Sequence, residues 1–292
     1  MQRSSQRNIM SVFSKKKKLI VCGCSYSDNY ASREGLGDFE VYGSLLAGKL
    51  DMELVNVSQC GFGNKGIFTS ITDSLLNQKP SKDIGLVIAQ WTEFQRVDGY
   101  VKTKHKSTLS NYKGSNPWKS FHPERLVLDA EWHDIQFKDK SKKEGLQYEL
   151  ASVLRKYGLD TIKGAVKDTL GYMYSFQSIC ETNNVPYLQF QGTVPLLGKG
   201  EPLHGQQYKE LYHYIINSPY IDKMKETFLG WPIMELELFP KHVKKRNKNF
   251  CFDTLLSPGE RISEEDTHPN GKGHEMMMER LYDAYKKIYS KN

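Results

Sequence analysis

The stretch Leu19-Ile20-Val21-Cys22-Gly23-Cys24-Ser25-Tyr26-Ser27 constrains this chain more than any other. An apolar run with two β-branched residues, preceded by Lys15 to Lys18 and broken at Gly23, predicts a buried strand that ends in a loop. In an open α/β sheet, ligands gather outside the carboxyl ends of the strands, where loops diverge and helix N-termini point into the gap. Ser25 is placed at such an end.

Beyond Ser27 the chain alternates between helical and strand periodicities. Val41 to Leu50 carries Leu45, Leu46, Ala47 and Leu50 at helical spacing, and Glu53 to Val57 reads as a second strand. Lys65 to Gln78 predicts a helix closed by Pro80. Ile84 to Ala89 predicts a third strand, apolar throughout, as expected for a parallel strand covered on both faces. A helix over about Tyr148 to Asn183, broken near Gly158 or Gly164, leads to a fourth strand, Val185 to Phe190. Strands alternating with helices imply a three-layer α/β/α domain around a mostly parallel, doubly wound sheet. The organisation expected is a flexible basic segment over 1–17 and one domain over 18–292. Irregular insertions are expected at about 95–145 and 192–248, the first a candidate substrate wall.

Near the C-terminus the chain reads Ser263-Glu264-Glu265-Asp266-Thr267-His268-Pro269-Asn270-Gly271, ahead of a helical run ending near Tyr289. A serine hydroxyl is a poor nucleophile at neutral pH and needs an adjacent base, which in turn needs a third group to fix its tautomer. His268 with a carboxylate two or three residues before it supplies both from one loop. The same segment also reads as a helix start, with Asp266 or Asn270 as the cap.

Taken together, Gly23-Cys24-Ser25-Tyr26 and Glu265-Asp266-Thr267-His268-Pro269 resemble the nucleophile block and the DxxHP block of the SGNH, or GDSL, hydrolase family. The family's second block, an asparagine followed five residues later by an oxyanion-hole glycine, is similar to Asn56 to Gly61, with Phe62-Gly63-Asn64 beyond. Its third block, GxND, meets Gln90-Trp91-Thr92-Glu93, so Thr92 stands where the family has asparagine, and Cys24 replaces the aspartate of GDS. The resemblance covers about residues 18–94 and 249–289. It implies the flavodoxin-like SGNH fold and a serine esterase without a cofactor. In that esterase Ser25 is the nucleophile, His268 the base, Asp266 or Glu265 the acid, and Ser25, Gly61, Asn64 and Thr92 the oxyanion-hole candidates. Its implied substrate is a small acyl ester, often an acetyl group on a carbohydrate. A binding protein on the same fold, with weak or no catalysis, is the alternative. Cys24 is a second candidate nucleophile.

Other classes are disfavoured. No glycine-rich phosphate-binding motif comes after a predicted strand. The formal charge of +7 is spread along the chain without a recognised nucleic-acid motif, so no specific nucleic-acid partner is expected. No membrane partner is expected either, since no signal peptide or membrane span is apparent. The odd number of cysteines, Cys22, Cys24, Cys60, Cys180 and Cys251, indicates reduced thiols and a cytoplasmic setting. No paired CxxC exists, and no metal site is expected. His204, His213 and His242 read as surface or packing residues. Nothing in the sequence specifies an oligomeric state.

Overall fold

The computed structural model describes residues 15–78, 81–94, 96–100, 118–121, 153–154, 156–157, 162–193, 214–230 and 250–290. Five parallel strands form one sheet in the order β2-β1-β3-β6-β7: β1 (Lys18–Cys22), β2 (Glu53–Asn56), β3 (Ile84–Trp91), β6 (Tyr187–Gln191) and β7 (Phe228–Leu229). The remaining two strands, β4 (Val97–Tyr100) and β5 (Trp118–Phe121), pair antiparallel as a separate ribbon. With that ribbon set aside the order is 2-1-3-4-5, the doubly wound arrangement expected, with its switch point between β1 and β3. Ser25 leaves β1 at that point.

Strand alternation sorts the core into two layers. Ile20, Val87, Ala89 and Trp91 face α3 (Asn64–Asn77) and α4 (Ile162–Thr182), packing on Ile67, Ile71, Leu170, Met173 and Phe176. Leu19, Val21, Leu86, Ile88 and Phe190 face the other way. There they meet Tyr42 and Leu46 of α2 (Tyr42–Lys49), and Met277 and Leu281 of α6 (Gly271–Tyr289). β3 is buried at all eight positions, because parallel strands on both sides and helices on both faces leave it no route to solvent. Two short helices, α1 (Tyr30–Arg33) and α5 (Phe252–Leu255), flank the carboxyl end of the sheet.

Two expectations need correction, and a third is only partly covered by the described residues. The stretch 95–145 is not wholly irregular, since its described parts form the β4–β5 ribbon. Asp98 fastens that ribbon to α3 by accepting the Gly63 and Gly66 N–H groups at 2.9 and 3.0 Å, which supplies the cap that Gly63 itself lacks. β7 lies inside the second presumed insertion; two residues are too few to show any period. The long helix before β6 is described as α4 from Ile162, whereas most of 148–161 falls outside the described residues. So do residues 1–14, most of 101–152, His204, His213 and His242.

Candidate active site

β1 ends where Gly23 meets the side chains of β3. A Cβ on Gly23 would sit 2.4 Å from Ser27 Oγ and 2.7 Å from Gln90 Oε1, so the chain passes this point only as glycine. The next residues close a tight turn in which the Ser27 and Asp28 N–H groups both donate to the Cys24 carbonyl, at 3.0 and 3.2 Å. Ser25 stands on that turn and is 9% exposed. Cys24 turns inward, fully buried, and its sulfur accepts from Gln90 Nε2 at 3.1 Å. That makes it a packing residue and removes it as a nucleophile.

The second component comes from the loop between residues 261 and 269, which is pinched by a bridge from Arg261 to Pro269 and by Ile262 N–H donating to the His268 carbonyl at 2.9 Å. Asn270, not Asp266, caps α6: its Oδ1 accepts the Gly273 N–H, while its Nδ2 donates to the Gly259 and Arg261 carbonyls. Arg261 spans the loop, donating to the Thr267 carbonyl at 2.6 Å and pairing with Asp253 at 3.1 Å. Tyr26, the neighbour of Ser25, donates to that same Asp253 carboxylate at 2.9 Å. The serine turn and the histidine loop are therefore fastened to one acidic residue.

So held, His268 Nε2 lies 2.8 Å from Ser25 Oγ and His268 Nδ1 lies 2.5 Å from Asp266 Oδ1. With Nδ1–H donating to the carboxylate, Nε2 is left bare to accept the serine proton, the tautomer that base catalysis requires. Asp266 Oδ1 also accepts the His268 backbone N–H at 3.1 Å, and Oδ2 accepts the Tyr30 hydroxyl at 3.2 Å. Burial raises the Asp266 carboxyl, but these bonds, led by the His268 side chain, hold it below the ordinary carboxylate range. Glu265 is turned outward, its carboxylate accepting from Ser263 Oγ at 3.0 Å. Of the two acids the sequence left open, the structure brings Asp266 to the imidazole.

The oxyanion-hole candidates divide. Gly61 occupies φ +82°, a left-handed conformation suited to glycine. Among the described residues neither its N–H nor that of Ser25 has a hydrogen-bond acceptor. The preceding N–H, that of Cys60, donates to Asp28 Oδ2 at 2.8 Å, and Arg33 grips the same carboxylate through both terminal nitrogens at 3.0 and 3.2 Å. Asn64 and Thr92 do not fit the role expected of them. The Asn64 amide is 3% exposed and spent on the Thr92 and Glu93 carbonyls and Thr169 Oγ1, while its oxygen accepts the Thr92 N–H at 2.8 Å. The Thr92 hydroxyl is fully buried against the Glu93 carboxylate and Thr193 Oγ1. Both residues lock the end of β3 in place.

Sequence reasoning missed Tyr26, Tyr30 and Asp28. Their signal lay only in proximity, one, five and three residues after Ser25. Ser25, Tyr30, Phe39, His268 and His274 border a niche of about 10 Å³, close to the room one water needs. A larger cavity, about 330 Å³ between β7 and α6, shares no lining residue with it. Among the described residues no cluster of His, Cys, Asp or Glu could hold a metal ion, and no helix is long and apolar enough to cross a membrane.

No family model and no curated protein matches the sequence. Solved structures similar to this chain include an acetyl xylan esterase, at 13% identity and TM-score 0.39, covering 91% of this chain and 98% of its own. Another is an acetylxylan esterase from Geobacillus stearothermophilus, at 12% and 0.39, covering 92% and 94%. A third is a psychrotrophic esterase from Pseudoalteromonas sp., at 12% and 0.41, covering 93% and 97%. Likenesses this distant say nothing about individual side chains, whose geometry stands by itself.

Proposed function

We propose that this chain is a serine esterase of the SGNH kind, acting on small acyl esters, with acetyl groups on a carbohydrate as the candidate natural substrate. The observation that carries the reading is the continuous chain Ser25 Oγ, His268 Nε2, His268 Nδ1, Asp266 Oδ1, with hydrogen-bonding separations of 2.8 and 2.5 Å at its two joints. Ser25 attacks the acyl carbon and passes its proton to Nε2. The tetrahedral oxyanion is held by the N–H groups of Ser25 and Gly61. On collapse the C–O bond to the alcohol breaks and the imidazolium returns the proton to the leaving oxygen. Water then repeats the sequence to release the acid and free Ser25.

With Asn64 and Thr92 committed to β3, the hole has two main-chain donors and lacks the side-chain donor the resemblance implies. One missing donor is worth about a hundredfold to a thousandfold in rate, so turnover is slow for this chemistry. The test is hydrolysis of p-nitrophenyl acetate together with labelling by a fluorophosphonate. The wild type is expected to hydrolyse the ester and to be modified at Ser25, and Ser25→Ala to do neither. Equal rates for the two proteins would sink the reading and favour a binding protein on the same fold.

A further inference from the structure

We propose that Tyr30 is a positioning residue for the Asp266–His268 pair, holding the acid by its hydroxyl and the imidazole by its ring. The inference rests on the serine-esterase reading above and adds to it a residue that no sequence block marks. Asp266 lies only two residues before His268, so one oxygen, Oδ1, takes both the backbone N–H and Nδ1 of His268. That leaves Oδ2 to a donor from elsewhere, and the Tyr30 hydroxyl supplies it at 3.2 Å, so that both carboxylate oxygens are held.

The ring completes the clamp. Tyr30 lies against the imidazole with centroids 4.4 Å apart and planes at 33°, while Tyr26 meets it edge-on at 5.4 Å and 64°. Both tyrosines belong to the segment that carries Ser25, so the base is seated on the nucleophile's own turn. When His268 takes the serine proton it becomes a cation beside an aromatic surface, an attraction that the neutral ground state lacks. Tyr30 is thus expected to affect the chemical step and not substrate affinity. Burial, helped by the nearby Asp266 charge, pushes its phenol up to about 12, so the hydroxyl keeps its proton throughout the working range.

The experiment compares Tyr30→Phe, Asp266→Ala and the double variant in p-nitrophenyl acetate kinetics, thermal melting and proton NMR of the His268 Nδ1–H. Tyr30→Phe keeps the ring, so its melting temperature should match the wild type. Its kcat should fall about tenfold at unchanged KM, the size of one hydrogen bond to a charged group. In the Asp266→Ala background the same change should cost nothing further, because the hydroxyl acts only through that carboxylate. Exchange of the Nδ1 proton with water should quicken several-fold in Tyr30→Phe. An additive loss in the double variant, or an Nδ1 proton indifferent to the change, overturns the proposal. Should Ser25→Ala prove as active as the wild type, the esterase reading falls, and the Nδ1 proton comparison still decides the role of Tyr30.

Discussion

Asp266 Oδ1 accepts two N–H groups from His268, the backbone amide at 3.1 Å and the ring Nδ1 at 2.5 Å, and so fixes that residue's main chain and side chain with a single atom. Glu265, one residue nearer the spacing of the SGNH block, is held away by Ser263. The Ser263 hydroxyl accepts the Glu265 and Asp266 N–H groups at 3.2 and 2.9 Å and donates to the Glu265 carboxylate. Asp266→Asn is therefore expected to lower kcat by roughly a thousandfold or more by disturbing the tautomer. Glu265→Gln should stay within about twofold of the wild type, as expected for an exposed group outside the relay. Steady-state kinetics of the two variants on one ester substrate decide the matter, and a reversed ranking would move the acid to Glu265.

The turn bearing Gly61 depends on a carboxylate 37 residues further on. Asp98 is buried and accepts from Gly63, Gly66 and Ser120. Burial raises its carboxyl, and the bonds from Ser120, Gly66 and Gly63 offset only part of that rise. Asp98→Ala takes the acceptor from the Gly66 N–H of α3 and leaves the Gly63 N–H with Ser120 Oγ alone, at a cost of about 2 kcal/mol. For a chain of this size that is a melting point lower by on the order of 4 to 8 °C. Because Gly63 is two residues from Gly61, kcat should fall as well. Calorimetry and kinetics on the one variant test both, and an unchanged melting point would show that water replaces the carboxylate.

How much the sequence disclosed depends on how local each interaction is. Ser25 and His268 were legible because a strand end and a loop before a helix are written in consecutive residues. The choice between Asp266 and Glu265 was not, since it turns on the orientation of Ser263 within a loop closed by contacts from Arg261 and Asn270. Asn64 and Thr92 enter as oxyanion-hole candidates only through the family resemblance. Their partners Thr169 and Thr193 lie about a hundred residues away, and only the folded sheet brings them together. The four longer strands of the sheet were read within about two residues of their bounds, because each runs for at least four positions between clear breaks. β7 escaped for the opposite reason.

His274 is expected to make stability fall in mild acid. Its ring is buried behind α2, and Nδ1 accepts the backbone N–H of Tyr42, the first residue of that helix, at 3.3 Å. An imidazolium has no lone pair there, so protonation breaks the bond. Burial, with the charge of His268 nearby, lowers its pKa from the ordinary 6.5 to about 4. The folded protein thus holds fewer protons than the unfolded chain between about pH 4 and 6.5. The contribution is fully present above 6.5 and is lost as pH falls toward 4. At about 1.4 kcal/mol for each pH unit, the loss across that window is roughly 3 kcal/mol. His274→Asn offers an amide oxygen to Tyr42 and cannot titrate, so its stability should start lower at pH 7.5 yet stay flatter down to pH 5. Urea unfolding of both proteins at pH 7.5, 6 and 5 measures the difference in slope, and parallel curves would assign the acid sensitivity to another group.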